Sequence, residues 1–106
     1  METPVQVTAR HFDASPTLRD HAVRRLEKLE RFYDGIIDAR VVLDADGGGP
    51  PDDKKAEITL GVYQKRLSAS STASTHEEAI DDCAEGLRRQ LKTYKGKLHS
   101  TDQDRY

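Results

Sequence analysis

The sequence predicts an α+β domain ordered β-α-β-β-β-α, a four-stranded sheet with two helices packed on one face. Three observations predict it. Two segments place apolar residues at steps of three and four, the period of a helix with one buried side. Four others alternate apolar and polar residues, the period of a strand with one buried face. One-sided helices and a one-sided sheet each need a cover, and stacking the helices on the sheet satisfies both.

The first strand runs from Val5 to Arg10, where Val5, Val7 and Ala9 alternate with Gln6, Thr8 and Arg10. His11 to Ala14 connects it to the first helix, Ser15 to Tyr33. Ser15 suits the N-cap because its hydroxyl accepts from a free first-turn amide, and Pro16 suits the first helical position, where no amide hydrogen is needed. Leu18, Ala22, Leu26, Leu29 and Tyr33 stack along one side. Asp34-Gly35 is expected to end the helix through a left-handed glycine cap. Ile36 to Leu43, rich in β-branched residues, reads as the second strand with Ile37, Ala39, Val41 and Leu43 on one face.

Asp44 to Lys55 is glycine, proline, lysine and acid with Ala45 its one apolar residue, so an exposed hairpin connection is expected. Gly47-Gly48-Gly49 is no phosphate loop, since no Gly-Lys-Ser/Thr follows and Asp52 and Asp53 repel phosphate. Ala56, Ile58, Leu60 and Val62 alternate in the third strand, and Tyr63 to Arg66 turns the chain back. Leu67, Ala69, Ser71 and Ala73 keep the alternation in a fourth strand whose small inward residues admit a close helix. Thr75 and Glu78 form a capping-box pair at the start of the second helix. Its apolar stripe is Ile80, Ala84, Leu87, Leu91, Tyr94 and Leu98, with Cys83 beside it and Gly86 a weak point. Residues 100–106 have no pattern and are expected to be a disordered tail.

A chain of 106 residues bounds one domain with one core. Its net charge of −2 gives no argument for nucleic-acid binding, so any such argument rests on where the charges sit. The single cysteine, Cys83, excludes an internal disulfide and a cysteine-based zinc site, which fits a reducing, cytoplasmic setting. The N-terminus lacks a basic start followed by an apolar run, and no stretch approaches the ~20 apolar residues that span a bilayer, so neither export nor a membrane partner is expected.

Catalytic groups do not converge. His11, His21, His76 and His99 have no metal-like spacing and sit in no nucleophile motif, so they are expected to be scattered on the surface. Cys83 is expected as a buried, inert thiol, and Asp81 and Asp82 point about 100° apart on a helix rather than forming a dyad. No enzyme, metal, cofactor or small-molecule substrate is expected.

The basic residues are patterned. Arg24, Lys28 and Arg31 form a stripe on the first helix, flanked by Arg19 and Arg25; Arg88, Lys92 and Lys95 repeat it on the second. With both helices on one sheet, the stripes can flank a common groove that neutralises several phosphates. Against this, Glu77, Glu78, Asp81, Asp82 and Glu85 early and Arg88, Arg89, Lys92, Lys95 and Lys97 late complement the helix dipole, Glu27 and Glu30 dilute the first stripe, and composition alone slightly favours solvated faces.

TARHFDASPTLRDHAVRRLEKLERFYDGIIDARVVL, then EEAID and LRRQLKTYKGKL, resembles the ribosome hibernation promoting factors and their relative, ribosome-associated inhibitor A. The resemblance spans residues 5–98 and is to the short type, with TLRDH, LEKLERF and RRQLKTYKGKL its most specific phrases. It implies a fold similar to double-stranded RNA-binding domains and one ribosome-binding domain over residues 1–99. It further implies binding to the small ribosomal subunit near the decoding region, over mRNA and tRNA positions, with translation blocked in stress or stationary phase. The ribosomal RNA contacts it implies are Arg24, Arg25, Lys28 and Arg31, then Arg88, Arg89, Lys92, Lys95 and Lys97, reading phosphate and shape rather than bases. A companion hibernation factor is a further implied partner. Gly86 and Thr93 stand where many members carry lysine. The alternative is a protein-interaction module that modulates a regulator such as a sigma factor through Asp44, Asp46, Asp52, Asp53 and the acids from Glu77 to Glu85; a third reading is a general double-stranded RNA binder.

Overall fold

The computed structural model describes residues 3–45 and 54–103, with side chains as far as residue 96. The elements follow in the expected order: β1 (Val5–Arg10), α1 (Pro16–Phe32), β2 (Asp38–Asp44), β3 (Lys54–Val62), β4 (Lys65–Ala73) and α2 (His76–Gln103). They form one sheet in the spatial order β1-β2-β3-β4, with β1 parallel to β2 and the other pairs antiparallel. The register aligns the inward residues in rows. Val5, Ala39, Leu60 and Leu67 lie across the sheet from one another, as do Val7, Val41, Ile58 and Ala69. A one-residue slip in any strand turns its apolar set to solvent, so this alternation pins the pairing.

Onto that face pack Leu18, Ala22, Leu26 and Leu29 of α1 and Ala79, Ile80, Cys83, Ala84, Leu87, Leu91 and Tyr94 of α2, forming one core with the sheet. No polar or charged residue is buried among the described residues. Ser15 caps α1 as expected, its Oγ accepting from the Leu18 amide at 3.1 Å. The small residues of β4 do let α2 approach: a Cβ on Gly86 would stand 3.7 Å from the Ala69 Cβ, ordinary contact. At the start of α2, Thr75 Oγ1 accepts from the Glu78 amide at 3.1 Å. The reciprocal half of the box is absent, because the Glu78 carboxylate instead accepts from the Ser74 hydroxyl.

Three expectations are corrected. The first helix stops without a left-handed glycine: Tyr33 leaves α1 in an extended conformation, φ −146° and ψ 111°, its amide donating to the Leu29 carbonyl. Gly35 is needed for space, since a Cβ there would stand 2.5 to 2.7 Å from the Tyr33 ring and hydroxyl. Second, β2 starts at Asp38, so the alternation does not reach Ile37, which is 59% exposed while Ile36 takes the core position. Third, helical backbone carries on through Gln103, because neither proline nor glycine follows Gly96 to stop it. Of the expected tail, residues 100–103 therefore belong to α2, and 104–106 lie outside the described residues. Most of the acidic loop, with Gly47 to Gly49, Asp46, Asp52 and Asp53, lies outside them too.

Candidate nucleic-acid interface

Where α1 and α2 run side by side, the rims of both helices carry cations. Arg25, Lys28, Leu29 and Phe32 of α1 and Ala84, Glu85 and Arg88 of α2 line a cavity of about 470 Å³. Phe32, Glu85 and Arg88 continue into a second, of about 530 Å³, with Arg89, Lys92 and Lys95. The two share walls and make one groove. Alanine and leucine form the floor because these positions belong to the core stripes of their helices; the charged residues stand one helical step outward.

Phe32 organises the cations. The Arg88 guanidinium lies 5.3 Å and the Lys95 ammonium 5.7 Å from its ring centroid, close enough for the ring quadrupole to hold both charges over it. Five groove cations, Lys28, Arg88, Arg89, Lys92 and Lys95, have no carboxylate within ion-pair distance among the described residues. Arg25 is engaged: its Nε lies 3.2 Å from Asp81 Oδ1, which also meets His21 Nε2 at 2.8 Å. That Nε is buried and poorly aligned, so the contact is electrostatic rather than a directed hydrogen bond. The His21–Asp81–Arg25 cluster clasps the two helices and sets the width of the groove at this end.

The groove therefore gathers Arg25, Lys28, Arg88, Arg89, Lys92 and Lys95 of the expected set, and leaves two others outside its walls. Arg24 is exposed and pairs with Asp20, and Arg31 is exposed one step around α1. The side chain of Lys97 lies outside the described residues. Phe32 escaped the sequence reading because it falls off the apolar stripe of α1, and only the neighbouring helix shows what its ring does. Glu85 is the one acid that lines the groove among the described residues.

The remaining chemistry is structural. Cys83 is 1% exposed and donates to the Ala56 carbonyl at 3.3 Å; burial, then the nearby Asp82 and Glu57, push its thiol up to about 11. Burial, with Tyr94 beside it, likewise raises the Tyr33 phenol. Two histidines differ from free surface groups: His21 belongs to the clasp, and His76 stacks on Phe12 at 4.5 Å with Nε2 2.8 Å from the Asp44 carbonyl oxygen. His11 stays exposed, its Nδ1 3.2 Å from Asp44 Oδ1, and the His99 side chain is outside the described residues. No group of three or more His, Cys, Asp or Glu among the described residues could hold a metal ion. No helix there is long and apolar enough to cross a membrane. The acidic half of α2 is partly engaged within the fold, Asp81 by the clasp, Asp82 by the Ser71 hydroxyl at 3.2 Å and Glu78 by Ser74.

Residues 5–99 match the profile of a family described as sigma 54 modulation protein / S30EA ribosomal protein. The chain is 29% identical over 100 residues to ribosome-associated factor Y of Haemophilus influenzae, covering 94% of this chain and 90% of that protein. It is 28% identical over 96 residues to the ribosome hibernation promoting factor of Pseudomonas putida, covering 91% and 90%. A solved ribosomal subunit interface protein from Coxiella burnetii shares the fold, with a TM-score of 0.80 over 89% of this chain and 99% of that one at 19% identity.

Proposed function

The chain belongs to the sigma 54 modulation protein / S30EA ribosomal protein family, and from that premise we propose that it is a ribosome hibernation factor, acting by binding rather than by catalysis. In this reading residues 1–99 make one cytoplasmic, ribosome-binding domain. It docks on the small subunit near the decoding region, overlaps mRNA and tRNA positions, and so blocks translation in stress or stationary phase. A companion hibernation factor can share the ribosome with it.

The observation that carries the reading is the groove itself: a protein of net charge −2 concentrates along two adjacent helices five cations with no carboxylate partner among the described residues. A groove of fixed cations meets phosphates in a geometry set by the fold, which suits structured RNA recognised by shape and backbone. Lys28, Arg88, Arg89, Lys92 and Lys95 make the principal phosphate contacts. Arg25 adds charge while bracing the helices, Arg24 and Arg31 act from the outer flank of α1, and Lys97 is a further contact in this reading.

Sucrose-gradient sedimentation of a stationary-phase lysate at low salt tests this. The protein is expected to travel with ribosomal particles, and Arg88→Glu with Lys92→Glu is expected to release it while leaving its circular dichroism spectrum unchanged. Wild-type protein confined to the top fractions at low salt defeats the proposal.

A further inference from the structure

We propose that the RNA-binding surface continues from the interhelical groove across α2 onto the β3–β4 hairpin, where Tyr63 stacks an unpaired base and Lys65 holds the adjoining phosphate. This rests on the ribosome-binding reading above and adds to it the hairpin, which holds none of the expected contact residues.

Continuity of charge is the first observation. Arg89 lines the groove and also, across the ridge of α2, a cavity of about 260 Å³ walled by Lys65, Leu67 and Tyr94. Lys65 in turn lines a cavity of about 440 Å³ at the hairpin with Gln64 and Arg66. The cationic path thus passes from Lys28 through Arg88, Arg89 and Lys65 without a break. The hairpin's one carboxylate on this path, Asp38, is 3.6 Å from Arg66, its charge already answered.

The tip of the hairpin supplies the second observation. Val62 pairs with Lys65, so Tyr63 and Gln64 are the whole turn. The Tyr63 ring is 64% exposed and takes no part in the core, while its carbonyl accepts from the Tyr94 hydroxyl at 2.6 Å, tying the turn to α2. Gln64 holds a φ of 61°, a left-handed conformation that glycine or asparagine adopts with less strain. A turn anchored to α2 through its backbone, with an exposed ring at its tip and Lys65 next on the strand, is suited to present that ring.

RNA is favoured over a protein partner because Lys65 and Arg66 follow the turn directly in sequence and Arg89 lines the cavity that Lys65 walls. Exposed large apolar residues on the described surface amount to Tyr63 and Ile37 alone, too little for an apolar protein interface. An aromatic face next to cations is the arrangement by which single-stranded bases are held.

The test is binding of the full chain to purified small ribosomal subunits, measured as Kd over a salt series for wild type, Tyr63→Ala, Tyr63→Phe and Lys65→Gln, with Arg88→Glu/Lys92→Glu as groove control. Tyr63→Ala is expected to weaken binding by about 5- to 100-fold, and Tyr63→Phe, which keeps the ring, to stay within about twofold of wild type. Lys65→Gln is expected to make the slope of log Kd against log salt shallower by about 1. Tyr63→Ala binding as tightly as wild type, or Tyr63→Phe failing as badly as alanine, overturns the stacking contact while the groove control still shows loss. Weakened binding by Lys65→Gln with an unchanged salt slope assigns the hairpin to a protein contact and overturns the RNA proposal. Wild type that does not bind at all overturns both this inference and the reading beneath it.

Discussion

Neutralising two groove cations, Arg88→Gln with Lys92→Gln, predicts a change in salt dependence whose size follows from the geometry. Six cations line the groove, Arg25, Lys28, Arg88, Arg89, Lys92 and Lys95, and Arg25 is engaged by Asp81, leaving five. If each neutralises one phosphate, these five contribute about 4.5 to the slope of log Kd against log salt, taking roughly 0.9 per contact as for duplexes. The groove's share of the affinity then falls by about 500-fold between 50 and 200 mM salt. In the double variant the groove keeps three contacts, a contribution of about 2.7 and a loss of about 40-fold over the same range. Both residues are exposed, so the fold is expected to survive the change. The assay is co-sedimentation with purified small subunits at four or more salt concentrations, with thermal melting as a control for folding. Equal slopes for variant and wild type refute the reasoning, because they place phosphate contact somewhere other than this groove.

Gly86→Ala is expected to stabilise the fold by about 0.5–1 kcal/mol, since the new methyl meets Ala69 at ordinary contact distance and a helix interior favours alanine over glycine; calorimetry should show Tm rising by roughly 3–6 °C. Gly35→Ala is expected to cost about 1–3 kcal/mol in urea denaturation, because its Cβ would overlap a Tyr33 ring that is packed edge-on against Tyr94 at 5.9 Å and has little room to retreat. Cys83 predicts alkaline destabilisation: its thiol rises from the ordinary 9.0 to about 11 in the folded protein, so the unfolded chain ionises first. The corresponding stability, about 2–3 kcal/mol, is complete below pH 9 and lost as pH rises through 11. Urea titrations between pH 8 and 11 should show a shallower decline for Cys83→Ala than for wild type, the comparison removing the parallel contribution of Tyr33, whose phenol is also raised.

The sequence by itself determined the order of elements, the N-terminal caps of the helices and most of the face each element buries. These are local properties: Ser15, Pro16 and Thr75 act on the next turn, and the alternation of Val5–Ala9, Ala56–Val62 and Leu67–Ala73 is set by the pleat, whatever lies opposite. It also placed most of the cations on two helical stripes. Only the tertiary structure decided which of them meet. A stripe defines a direction around one helix axis, whereas the groove depends on how α1 and α2 are rotated relative to each other, and that follows from seating Leu26, Leu87 and Leu91 on the same sheet face. The seating turns Arg25, Lys28 and Phe32 toward Arg88 and leaves Arg24 outside the groove. It also carries Arg89 over to Lys65, 24 residues away in sequence, a neighbour no local pattern could announce. Ile37 gives the same lesson for the core, since its alternation looked continuous until the register with Gly61 started β2 at Asp38, two residues after the expected Ile36. Periodicity is encoded within a segment; the meeting of two surfaces is a property of the pair.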